Sequence, residues 1–397
     1  MSMKKLLLLL FIPLSSFGQF NVVDDFGAKG DGVTDDTEAF QKAIDAAIRV
    51  RGKLIIPPPD RFYKITNTLD VIPAVGGQVF LTIDAWGWGY GSTAIRYMGE
   101  SNKPVFRIIG LKQAIWTGLK VGISEGLTGV QIFDIDTTPT AESTSFVTFK
   151  NFYLILGDQP NNEGFRLGHR SGGGADISNY QWENCVVKGN RSPGQIAYHI
   201  EGANTLSNTW IGGFAAFVDK LYSNKSGEGA STDRGNGSVY FYGHGASHNN
   251  TDFEIAFEQT YVISGGRFEV GKRFLDVYNH RFHSSITVSG CQISNYEPDD
   301  GVLMYMGTAG SLVVDNCNMS CRGGDFSNMI VLAGTGSKGT LHVRGGAASS
   351  PKPFYKKVGA ATQWKVYIEG VGKFGSTSGV YSTDMFDDER PPAKKNE

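Results

Sequence analysis

The feature that most limits what this chain can fold into is an internal repeat. Short alternating runs close on a glycine or asparagine at Gly118, Asn151, Asn184, Gly213, Gly243, Gly265, Gly290, Asn316, Gly345 and Gly370, spaced 22 to 33 residues apart. A unit of that length, with strand-like alternation and almost no helical pattern, cannot bury its apolar face alone. Its neighbours must stack on it, as in a solenoid. Many units carry a second alternating strand after the turn, as at 196–200, 273–277 and 328–332. Two or three strands in a unit of this length define an all-β, single-stranded parallel β-helix. The Leu and Asn spacing of leucine-rich repeats is missing. A β-sandwich would show hairpin turns every 8–12 residues, and Asn-Gly turns are scarce.

Composition agrees with a turn-rich but packed chain. Of 397 residues 52 are glycine, only 14 are proline and 12% are aromatic, with no Gly-X-Y period. The 37 basic residues are balanced by 39 acidic ones, so no broad field favours nucleic acid or an anionic membrane. Four cysteines are too few for a disulfide scaffold. Cys185, Cys291 and Cys317 each follow a turn residue directly, which puts them in one stacked column. Parallel Cβ vectors there suit buried free thiols better than a bridge; the sequence leaves a Cys317–Cys321 pairing open.

Residues 1–18 read as a secretory signal, with Lys4 and Lys5 before a nine-residue apolar run at 6–14 and a small-x-small site at Ser16-Phe17-Gly18. The expectation is an exported protein, extracellular or periplasmic, with one domain over 19–383. A polar tail without apolar periodicity follows at 384–397. A helix is expected over 34–50, capped by Thr34 or Asp35 with Glu38, and burying Ala39, Phe40, Ala43, Ile44, Ala47 and Ile48 against the end of the solenoid.

The segment leading into that helix, Asp25-Phe-Gly-Ala-Lys-Gly-Asp-Gly-Val-Thr-Asp-Asp-Thr-Glu-Ala-Phe40, resembles the opening of the pectate-lyase-like superfamily of right-handed parallel β-helix proteins. That superfamily holds polysaccharide lyases, polygalacturonase-like hydrolases and phage tailspikes. The resemblance implies a right-handed solenoid with an N-terminal capping helix, and is silent on the reaction. Gly27, Gly30 and Gly32 lack the Gly-Lys-Ser/Thr ending of a phosphate loop and read as a cap. Gly243-His244-Gly245 and Asn250-Thr251-Asp252 echo two polygalacturonase motifs in the wrong order, which turn chemistry explains. No metal-ligand spacing occurs, and no motif calls for calcium or another cofactor. His244 and His248 lie in a Gly-rich loop and form a reserve pair of substrate-binding candidates.

Alternation in the second strands, with Leu167, Ile200, Leu221 and Val277 inward, sends Arg166, His199, Glu201, Lys220, Tyr222, Glu254, Asp276 and Tyr278 outward on consecutive coils. The same rule turns Met304, Met306 and Val331 outward, so residues 302–332 are expected to meet a partner surface, the chain's own tail or another copy in a homo-oligomer. A polar column on one face suits a polysaccharide. β-Elimination on a uronic-acid glycan needs a base, a cation for the carboxylate and an acid for the leaving oxygen. His199 or Lys220, Arg166, and Tyr222 or Tyr278 fit those roles, with Asp276 among the binding residues. Glycoside hydrolysis would use Glu201 and Glu254, two coils and so roughly 10 Å apart at about 4.8 Å per coil, near the inverting range. The competing class is a non-catalytic glycan binder or surface fibre.

Overall fold

In the computed structural model the described residues are 18–73, 77–85, 94–137, 143–168, 176–201, 205–225, 237–256, 260–278, 284–308, 310–322, 328–333, 338–349, 355–358 and 363–373. The signal-like residues 1–17 and the tail at 384–397 lie outside them. Successive coils contribute strands to three parallel sheets, of 13, 13 and 11 strands. The chain is a right-handed parallel β-helix, with a single α-helix among its described residues. The first ladder already pairs Gln19 with Lys53, so the first coil of the solenoid includes the capping segment.

The repeat's closing residue is the corner between the first and second sheets. Gly118, Asn151, Asn184, Gly243, Gly265, Gly290, Asn316, Gly345 and Gly370 all have φ between 50° and 74°, the left-handed region that glycine and asparagine tolerate best. In the fourth of these coils two glycines share the bend, Gly212 and Gly213. The corner amide also continues the ladder: Asn184 N–H donates to Ile211 O at 2.9 Å and Gly243 N–H to Ser264 O at 2.8 Å.

The helix runs Thr37–Val50 and buries Phe40, Ala43, Ile44 and Ala47; Ala39 and Ile48 pack at its edge. Its N-cap residue is Asp36, not Thr34 or Asp35. The Asp36 carboxylate is turned to the loop before it, where it accepts from Lys29 N–H at 2.6 Å and Gly30 N–H at 3.1 Å. Asp35 takes the helix end instead, accepting from Thr37 N–H at 3.0 Å. With Gly27, Gly30 and Gly32 at positive φ, this opening segment is a structural cap.

Stacked rings fill the interior. Trp182, Trp210 and Phe241 lie face to face at 4.4 and 4.3 Å, and Phe133, Phe165 and Tyr198 at 4.9 and 5.6 Å. Cys185, Cys291 and Cys317 are buried free thiols, and Cys321 is free and half-buried.

The third sheet departs from simple alternation in the same way through its middle coils. Its ladder pairs Glu163, Ile196, Lys220, Thr251 and Arg273 in one column, and Phe165, Tyr198, Tyr222, Phe253 and Leu275 in another. The residue between them, such as Ala197, Leu221 or Phe274, drops out of the register and is buried as well. The pattern is out, in, in, out, in. It corrects the expected orientation of Tyr222, Met304 and Met306, which are all fully buried in the core. Residues 302–332 therefore present no methionine face to a partner; the outer column of the third sheet holds Tyr305, half-exposed, and Val331, which is buried despite its outward position.

Candidate functional site

The outer column of the third sheet reads Asp70, Arg107, Asp134, Arg166, His199, Ser223, Glu254, Asp276 and Tyr305, one residue per coil in continuous register. At about 4.8 Å per coil the stripe from Arg107 to Asp276 is roughly 29 Å long. Such a run of ionisable groups exists because one register position of each strand faces out, over a floor of packed rings.

Two clusters form on the stripe. In the first, His199 Nδ1 meets Glu163 Oε1 at 3.0 Å, while its Nε2 meets Glu201 Oε1 at 3.2 Å and the Lys225 carbonyl at 2.9 Å. Arg166 reaches Glu201 at 3.3 Å and Glu163 at 3.7 Å. Burial disfavours the charged ring, but the Glu163 carboxylate, followed by Glu201 and the Lys225 carbonyl, outweighs it and raises the His199 pKa. Both ring nitrogens are thus engaged in a buried ring, which leaves neither turned toward a substrate in this arrangement. Arg166 and Glu201 are spent on the same cluster.

The second cluster centres on Glu254. Its Oε2 accepts from Lys220 Nζ at 2.8 Å and Ser223 Oγ at 2.5 Å, and its Oε1 accepts from the Tyr278 phenol at 2.7 Å. Burial pushes its pKa up, yet the Lys220 ammonium and these hydrogen bonds win and hold the carboxyl below the ordinary range. Asp276, one coil on, behaves in the opposite way. Burial raises it, and Glu254 and Asp300 add to the rise against the pull of Arg273, 3.7 Å away. Tyr278 is raised by burial and by its bond to Glu254, so its phenol keeps its proton at neutral pH.

The remaining sequence candidates lie elsewhere. Tyr222 is inside the helix, with its ring 5.8 Å from those of Trp210 and Phe241. His244 is also in the core, edge-on to Phe241 and Tyr198, and burial drives its pKa down to about 3. His248 sits at the corner after the second sheet, stacked on Phe217 at 4.6 Å. Asp252 faces inward, bonded to Asn249 and Tyr296, so the Asn-Thr-Asp echo is structural. Sequence reasoning missed Glu163, Ser223, Lys225 and Arg273. Register would have found Ser223, which shares the column of His199 and Glu254. Among the described residues no group of three His, Cys, Asp or Glu side chains is arranged to hold a metal ion, and no helix is long and apolar enough to cross a membrane.

These features define a parallel β-helix with a polar stripe on one sheet, and the pectate-lyase-like resemblance of the opening segment is borne out. Residues 19–65 match the family described as Rhamnogalacturonase A/epimerase, pectate lyase-like. Alginate lyase 7 of Azotobacter vinelandii is 40% identical over 89 residues, 22% of this chain and 10% of its own length. The capsule-specific Depolymerase 1 of Klebsiella phage K5-2 is 44% identical over 70 residues, 16% of this chain and 8% of its own. The chain thus spans a tenth or less of the curated relatives it matches. The A-module of the mannuronan C-5 epimerase AlgE4 of Azotobacter vinelandii superposes over 92% of this chain and 100% of that one, with a TM-score of 0.56 at 14% identity. That likeness is one of fold.

Proposed function

We propose that this chain is an exported enzyme that cleaves a uronic-acid polysaccharide by β-elimination on the outer face of the third sheet. The observation that carries the reading is the Lys220–Glu254–Tyr278 cluster with Asp276 on the adjoining coil. Export rests on the signal-like residues 4–18. Similarity to an alginate lyase and a capsule depolymerase supports a polysaccharide as substrate.

The roles shift from those expected of the sequence. Asp276, a carboxyl whose affinity for protons is raised by its surroundings, is a better base than an ordinary aspartate. It removes the proton from the ring carbon beside the substrate carboxylate. The electron pair left behind forms a carbon–carbon double bond as the bond to the glycosidic oxygen breaks, and Tyr278 gives that oxygen its phenolic proton. Solvent then returns a proton to Tyr278 and takes one from Asp276. Glu254 is a positioning residue that fixes Lys220 and Tyr278 on either side of itself.

A second reading has one observation in its favour: Glu254 and Asp276 are register partners whose pKa values are pushed apart, the pattern of a nucleophile and an acid in a retaining hydrolase. Its weakness is access, since the Glu254 side chain is only 3% exposed and bound by three donors. Incubation with a panel of uronic-acid polymers separates the two. Elimination gives new ends that absorb in the ultraviolet; hydrolysis gives reducing ends without that absorbance.

A further inference from the structure

Between Arg107 and Arg273 the stripe and its edge carry, among the described residues, five Lys and Arg side chains, and four of them are held by carboxylates. Arg107 makes a two-pronged pair with Asp70, both contacts 2.7 Å. Arg166 is held by Glu201 and Glu163, Lys220 by Glu254, and Arg273 by Asp276 and Asp300. Lys225 is different. It is exposed, its ammonium meets no carboxylate among the described residues, and its one side-chain contact there is the Tyr278 ring, with Nζ 4.5 Å from the centroid.

Its backbone is fixed from both clusters. Lys225 N–H donates to Ser223 Oγ at 3.2 Å, the same hydroxyl that donates to Glu254, and its carbonyl meets His199 Nε2. A pinned backbone thus carries a flexible four-carbon arm, whose charge rests on the ring of the residue proposed as the acid. Resting on a ring leaves most of an ammonium's donors to solvent, whereas a carboxylate would take a charge-assisted hydrogen bond from it.

We infer that Lys225 is the specificity residue of this site, receiving the carboxylate of an acidic sugar and so selecting uronic-acid over neutral glycans. The inference rests on the elimination reading, in which that carboxylate sits beside the carbon that loses its proton. Neutralising it there also makes the proton easier to remove. Arg166, the cation that sequence alone favoured for this role, is already occupied.

The test measures binding in the full chain with turnover blocked by Asp276→Asn. The probes are tetrasaccharides of polymannuronate and polygalacturonate, and the same tetrasaccharides with carboxyls reduced to alcohols. Adding Lys225→Met should weaken binding of an acidic probe at least tenfold and leave the reduced probes unchanged, with Lys225→Arg restoring most of the loss. Equal loss on both kinds of probe, or none on either acidic one, would overturn the inference. So would a parent protein that binds the reduced probes as tightly as the acidic ones. Products without ultraviolet absorbance from the wild-type enzyme, alongside the selective loss, would remove elimination while keeping Lys225 as the carboxylate receptor.

Discussion

Tyr278 gives its phenolic hydrogen to Oε1 of Glu254 at 2.7 Å, across one coil of the solenoid. The bond orients the phenol and, with burial, raises its pKa. In the elimination reading, the phenol proposed as the acid is thereby kept protonated by the Glu254 carboxylate beside it.

Asp276→Asn and Tyr278→Phe should each lower kcat by about 10²–10⁴-fold with unchanged circular dichroism. Tyr222→Phe should leave kcat within twofold, because that ring lies in the core. Steady-state kinetics on a polymer cleaved by the wild type is the check. A crippled Tyr222→Phe beside an active Tyr278→Phe would put the site on the wrong face.

Glu254→Gln separates positioning from nucleophilic attack. The amide keeps an oxygen acceptor for one donor and loses the charge that pairs Lys220. A positioning role predicts partial activity with an altered pH profile. Complete loss, down to the level of Asp276→Asn, would instead favour hydrolysis through a covalent intermediate.

His199 and His244, both buried, should act on stability with opposite signs. His199 has a folded pKa above its ordinary value of about 6.5, so its contribution is complete below that value and fades as pH rises through the raised one. His244 has a folded pKa near 3, so stability should fall as pH drops from about 6.5 toward 3. Melting curves from pH 4 to 9 should lose their alkaline slope in His199→Gln and their acid slope in His244→Phe.

Corner residues give a graded series. Gly243→Asn should be nearly neutral, since asparagine makes this bend at Asn151, Asn184 and Asn316 and a Cβ at Gly243 meets nothing within 4 Å. Gly118→Ala combines a positive φ with a Cβ driven against Ala85 O, and should cost more than the ~1–2 kcal/mol of the left-handed backbone alone. Chemical denaturation of both variants checks the order.

The solenoid was legible because its corners are chemically forced: from Gly118 onward a left-handed Gly or Asn recurs at the same corner of successive coils. The column of Arg166, His199, Glu254 and Asp276 was legible too, since Leu167, Ile200 and Val277 are inward neighbours. Tyr222 was not. Counting by twos from Leu221 turns it outward, whereas the strand buries Leu221 and Tyr222 together. The same double burial hides Met304 and Met306. Lys225 escaped notice for another reason: its distinction is the lack of a carboxylate among its described neighbours, which only the paired state of Arg107, Arg166, Lys220 and Arg273 makes visible.

Because the outer column advances by a fixed step per coil, the face works as a graduated scale, each mark occupied by one side chain that can be exchanged without moving the marks on either side. Duplicating a whole coil would lengthen the scale by one graduation and preserve every phase relationship along it. Losing a single residue inside a third-sheet strand would reverse the phase of that mark alone, burying a charge and exposing a ring. Such a face can change by whole-turn gains and by single outward substitutions, while the strands themselves stay closed to small insertions.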